Sequence, residues 1–186
     1  MSPVYFLLLL VPVISAQTFH WGPCPTPKVQ SDFILEPYLG EWYEIEKLPA
    51  YFAIGECIRA NYSMREDGTV RVLTSQVLNV RNGGRWVVEG TAKVMEPKEP
   101  AKLGVQFTSF LPYSPYWVVS TDYTTYSVVY SCTDIFKRFH FNYAWIFSRS
   151  PTLPCVIVAY AKKLLNEEGI NTSKMTYTDH NCELCN

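Results

Sequence analysis

From residue 42 onward, apolar and polar side chains alternate in short runs, and a turn signal closes each run. Alternation with period two predicts half-buried strands. Eight such runs occupy residues 42–48, 57–65, 69–78, 85–95, 102–110, 116–122, 126–132 and 141–148. Glu66-Asp67-Gly68 and Asn82-Gly83-Gly84 supply residues that tolerate the positive φ of tight hairpins. Pro97 and Pro100 bracket a charged turn, and Pro112 to Pro115 break the chain differently. Eight successive strands with short links predict a mainly β fold, an eight-stranded antiparallel up-and-down barrel. Closing on itself removes the exposed edges of such a sheet. At eight strands the interior has room for one small ligand.

The period changes once. Ile157, Tyr160, Ala161, Leu164 and Leu165 form an apolar stripe at helical spacing, with Lys162, Lys163, Asn166 and Glu167 facing away. Pro154 stands near its start and Gly169 just past its end, the usual asymmetry of helix termini. One C-terminal α-helix is expected, packed outside the barrel, followed by a last strand at 174–178. Ahead of the barrel, residues 17–31 are Pro-rich and read as an extended arm tied down by Cys24. Val4 to Ile14 is almost wholly apolar, too short to span a bilayer, and is followed by Ser15-Ala16. Residues 1–16 are therefore expected to be a secretory signal, leaving 17–186 as one secreted domain.

An extracellular location changes how other residues read. All six cysteines (Cys24, Cys57, Cys132, Cys155, Cys182, Cys185) follow the signal, and in an oxidising compartment an even count predicts disulfides. Six cysteines allow about 15 connectivities. Cys182-x-x-Cys185 lacks a second pair at matching spacing, and His20, His140 and His180 are scattered, so no metal site is expected. Asn61-Tyr62-Ser63 and Asn171-Thr172-Ser173 are glycosylation sequons.

A glycan on Asn61 must lie outside. Alternation then sends Ile58, Ala60, Tyr62 and Met64 inward and Cys57, Arg59 and Ser63 outward. The strand at 141–148 separates Phe141, Tyr143, Trp145 and Phe147 from its other face. Elsewhere Val72, Thr74 and Gln76 share a face, as do Leu103, Val105 and Phe107, and Tyr126, Val128 and Tyr130. Rings mixed with amides and hydroxyls suit a small-molecule cavity, because buried polar groups need partners.

Composition narrows the function. Formal net charge is -1, with 16 Lys plus Arg against 17 Asp plus Glu, which argues against a nucleic-acid partner. With 48% hydrophobic and 15% aromatic residues, the chain has ample material for a core. No Gly-x-Ser-x-Gly, His-Glu-x-x-His or phosphate loop occurs, so no enzymatic activity and no cofactor are expected.

Gly40-Glu41-Trp42-Tyr43-Glu44-Ile45 opens the first run, Thr121-Asp122-Tyr123 closes the sixth, and Ser148-Arg149 ends the eighth. In this order they resemble the signature of the lipocalins. The resemblance implies a calyx closed below and open above, with Trp42 plugging the closed end and Arg149 packed across it. It implies a secreted carrier of a small lipophile such as a steroid or fatty acid. Within the family the likeness extends through Gly40 to Pro49, Ala60 to Ser63, Glu99 to Leu103, Ala144 to Ile146 and Lys174 to Thr176. Family contacts then fall on Tyr62, Thr74, Gln76, Phe107 and Trp145, to which the alternation pattern adds Val72 and Tyr130. Two family bridges fall on Cys24–Cys132 and Cys57–Cys182. Cys155 and Cys185 are additional and are expected to pair. A tetrapyrrole carrier is the alternative function. Open-end loops, including Tyr113 and Tyr116, are candidates to meet a lipoprotein particle, a lipid surface or a receptor.

Overall fold

A computed structural model of the chain describes residues 19–79 and 84–182. Within it the alternating runs become β2 (Gly40–Lys47), β3 (Glu56–Met64), β4 (Val70–Asn79), β5 (Gly84–Val94), β6 (Lys102–Gln106), β7 (Ser114–Thr121), β8 (Tyr126–Ile135) and β9 (Phe139–Ser148). Each pairs antiparallel with the next, and β9 returns to β2, closing the barrel. The Asp67-Gly68 signal forms the predicted reversal: Gly68 takes φ +81°, and Asp67 Oδ1 accepts from the Thr69 amide at 2.9 Å.

Several elements differ from the sequence pattern. β6 stops at Gln106, and Phe107 to Tyr113 form a loop before β7. The β8–β9 hairpin runs further, turning at Phe136 and Lys137 with φ 52° and 55°. The N-terminal arm contributes β1 (Phe19–Trp21), paired with the start of β9, and α1 (Leu35–Tyr38) crosses the closed end. The signal 1–16 and Cys185 lie outside the described residues.

α2 (Cys155–Glu167) docks outside the barrel as its stripe predicts. Ala161, Leu165 and the following Ile170 pack on Leu48, Val128, Tyr130, Ala144 and Ile146. Fully burying a Leu side chain contributes about 1.5–3 kcal/mol, which anchors the helix. Lys162 adds an ion pair to Glu46 at 2.5 Å. Beyond the helix, β10 (Thr176–Tyr177) pairs with the upper end of β2. The Thr178 amide donates to Ile45 O at 3.0 Å and the Cys57 amide to Asp179 O at 2.8 Å. β2 and β3 pair only from Gly40 to Tyr43, so this strap fills the seam above them. The disulfides Cys57–Cys182 and Cys24–Cys132 fasten the strap and the N-terminal arm.

Candidate ligand-binding site

The closed end is built around Trp42. Its ring is fully buried, and Nε1 donates to Tyr38 O at 2.8 Å. The Arg149 guanidinium carbon lies 3.7 Å from the ring centroid, a cation–π contact. Arg149 also donates to Tyr123 O through Nε at 2.9 Å, to Glu41 O through Nη1 at 2.7 Å, and to Pro37 O and Leu39 O through Nη2, both at 2.9 Å. Gly40 makes room for this: at φ +93°, a Cβ there would lie 3.3 Å from Arg149 Nη1. Asp122 sets the opposite lip, accepting from the amides of Thr124, Thr125 and Tyr126 at 3.1, 2.7 and 3.0 Å. Burial works against its charge, but these amides outweigh burial and hold its carboxyl below the ordinary range.

Above Trp42, three phenols form a chain. Tyr62 Oη lies 2.8 Å from Tyr116 Oη, which lies 3.0 Å from Tyr38 Oη, itself 3.0 Å from Ser127 Oγ. Burial pushes the Tyr38 hydroxyl to about 12 and raises Tyr62 and Tyr116 further, so all three stay neutral. With Val72, Leu103 and Phe147 they make a buried floor.

The upper half is different. Thr74, Val88, Val105, Tyr143 and Trp145 face inward yet are only partly buried. Tyr143, Trp145 and Phe147 stack up β9 with centroids 5.9 and 6.5 Å apart. Phe107 stands at the rim, 46% exposed, its ring so close to Gly90 that a Cβ there would lie 2.7 Å away.

The inner wall therefore brings together Tyr62, Val72, Thr74, Gln76 and Trp145, with Phe107 at its mouth. Two of their polar ends are already engaged. The Tyr62 hydroxyl serves Tyr116. Gln76 donates to Phe52 O at 2.8 Å and accepts from the Gly55 amide at 2.8 Å, pinning the β2–β3 loop across the opening. Tyr130 is a correction. It lies in the cluster beneath α2, on the outer face, while its neighbour Val129 points inward beside Trp145's register position. β8 is covered on both faces, and its more polar side, Ser127, Val129 and Ser131, is the one turned inward, opposite Phe147, Trp145 and Tyr143. Cys155, the first residue of α2, is an exposed thiol without a disulfide in the structure, and its expected partner lies outside the described residues.

Two inner-wall residues escape sequence reasoning. Glu44 and Lys47 stand three apart, a spacing that puts strand residues on opposite faces. A bulge at Ile45 shifts the register, so Glu44 sits opposite Phe147 and Lys47 opposite Trp145, both facing inward. Lys47 Nζ donates to Glu44 Oε1 at 2.6 Å and to Thr178 Oγ1 at 3.1 Å, and Thr178 donates to Glu44 Oε1 at 2.7 Å.

A closed eight-stranded barrel, sealed by a Trp–Arg pair and lined above by part-buried rings, defines a class. The chain matches the Lipocalin / cytosolic fatty-acid binding protein family over residues 39–181 and belongs to it. It is a lipocalin, a carrier of a small hydrophobic ligand. Within the family it is similar to apolipoprotein D of Oryctolagus cuniculus, 46% identical over 188 residues covering 98% of each chain. The bilin-binding protein of Pieris brassicae is 29% identical over 96% of this chain and 95% of its own. Among solved structures, insecticyanin of Manduca sexta superposes with a TM-score of 0.77 at 29% identity, covering 91% of this chain and 92% of that one.

Proposed function

We propose that the protein is a secreted carrier of a steroid, fatty acid or related lipid, held in the upper half of the barrel against Trp145. The observation that carries this reading is the contrast between the two halves: a sealed floor at Trp42 and Tyr62, and inward-facing rings and Thr74 that keep accessible surface. The physical task is to hide apolar surface from water. A guest burying ~300 Å² gains about 7 kcal/mol at ~25 cal/mol/Å², less the cost of ordering it, which supports roughly micromolar binding. Val72 and Phe107 add apolar contact, and Thr74 adds a hydroxyl. Titration of delipidated protein with progesterone and with arachidonate tests the site. Trp145→Ala weakens both severalfold; unchanged titration curves contradict the assignment.

In this reading the protein binds and releases without catalysis. Residues 1–16 are removed as a signal, 17–186 form the mature domain, and Asn61 and Asn171, both exposed, carry glycans. The two disulfides suit an oxidising compartment. Cys155 and Cys185 form a third bridge, which non-reducing peptide mapping tests; two free thiols reject it. Phe110, Leu111, Phe136, Tyr51 and Ile54 are exposed on the open-end loops and dock the carrier on a lipid surface or lipoprotein particle, with a receptor as a further partner. The second reading, a pigment carrier, draws on the bilin-binding relative. A visible absorption band in the purified protein supports it, and a colourless preparation that binds steroid rejects it.

A further inference from the structure

The Glu44–Lys47–Thr178 cluster has no part in the reading above, yet it faces the same interior as Trp145 and Phe147. Placing a charged pair on an inner wall is costly unless every donor and acceptor is satisfied. Here the satisfaction is incomplete within the cluster. Lys47 has three ammonium protons, of which Glu44 Oε1 and Thr178 Oγ1 take two. Glu44 accepts from Lys47 and Thr178 through Oε1 alone, leaving Oε2 unused by either. The Lys47 side chain keeps 8% of its surface accessible.

Lys47 thus has one proton, and Glu44 one oxygen, that the cluster itself does not engage, in a pair with no net charge. A hydroxyl matches both, accepting from Lys47 and donating to Glu44. A ketone or ester only accepts. A carboxylate gains little, because Glu44 at 2.6 Å already neutralises the lysine and repels a second anion. We propose that the Glu44–Lys47 pair is a head-group site for a hydroxyl, so that the preferred guest is a neutral lipid alcohol over the free acid of the same chain. This proposal rests on the carrier reading and narrows it to a ligand class.

The test compares two guests that differ only at the head, a C18 alcohol and the C18 acid, each titrated into the full secreted, delipidated chain. The expected result is tighter binding of the alcohol by about tenfold, the size of a hydrogen bond to a charged group. Glu44→Gln leaves Lys47 as an unpaired cation and shifts the ratio at least about tenfold toward the acid. Tyr177→Phe alters the strap on its exposed side, away from the cluster and without changing charge, and the alcohol preference persists. A wild-type ratio within about twofold of unity overturns the proposal and leaves the carrier reading standing. So does a ratio that Glu44→Gln leaves unmoved, or that Tyr177→Phe moves equally. Wild-type protein that binds neither guest overturns the proposal, and if it also fails to bind progesterone and arachidonate the carrier reading falls with it.

Discussion

Arg149 shows how much one side chain can hold. It stacks on Trp42 and donates to carbonyls from α1, β2 and the β7–β8 turn, so it joins three segments at the closed end. Lysine keeps the charge but loses the planar fork. Arg149→Lys is expected to cost about 2–3 kcal/mol, lowering the thermal midpoint by about 5–10 °C for a chain of this size. Differential scanning calorimetry checks it; an unchanged midpoint contradicts the role. Tyr62→Phe makes a sharper distinction. Its hydroxyl bonds to Tyr116, so removing it costs about 1 kcal/mol of stability and leaves ligand affinity within about twofold. A large loss of affinity at unchanged stability would show that the hydroxyl serves the guest instead. At this scale alternation identified the inner face of β3, β4, β6 and β9 from residues alone. It could not foresee that Gln76 spends both ends of its amide on the β2–β3 loop, because that loop is distant in register and close only in space.

Among the elements, the regular ones were legible and the irregular ones were not. Eight strands and α2 follow from period and turn chemistry. The bulge at Ile45 left no mark in a run of alternating residues, and it is what turns Lys47 inward. β8 misled for a different reason: its apolar side, Tyr126, Val128 and Tyr130, packs under α2, while the more polar side, Ser127, Val129 and Ser131, faces inward. β1 gives a pH prediction. His20 stacks on His140 with centroids 5.1 Å apart. Burial lowers its pKa, charges on His140 and Lys174 lower it further, and a hydrogen bond to Asn142 opposes them. The folded value lies below the unfolded one, so the unfolded chain binds protons first. The stability of this contact is complete above about pH 6.5 and declines as pH falls toward the depressed value. Amide exchange in Phe19–Trp21 should quicken between about pH 7.5 and about pH 5.5, and His20→Phe should flatten that change. Exchange that ignores pH in the wild type contradicts this account.

As a whole, the molecule is a barrel closed on three sides: Trp42 and Arg149 below, α2 along one flank, and the disulfide-held strap across the β2–β3 seam. Among the described residues the open end carries the two most exposed large apolar side chains, Phe110 at 94% and Phe136 at 90%. Paired Phe110→Ser and Phe136→Ser should reduce co-flotation with phosphatidylcholine vesicles severalfold while leaving ligand affinity unchanged; equal flotation would separate the rim from lipid docking. The central claim is that the upper barrel encloses a lipophile. Native mass spectrometry of the secreted, deglycosylated protein tests it most directly. The account predicts a one-to-one adduct with a small lipid, exchangeable for added progesterone and depleted in Trp145→Ala. A bare chain that takes up neither progesterone nor arachidonate in excess would contradict it.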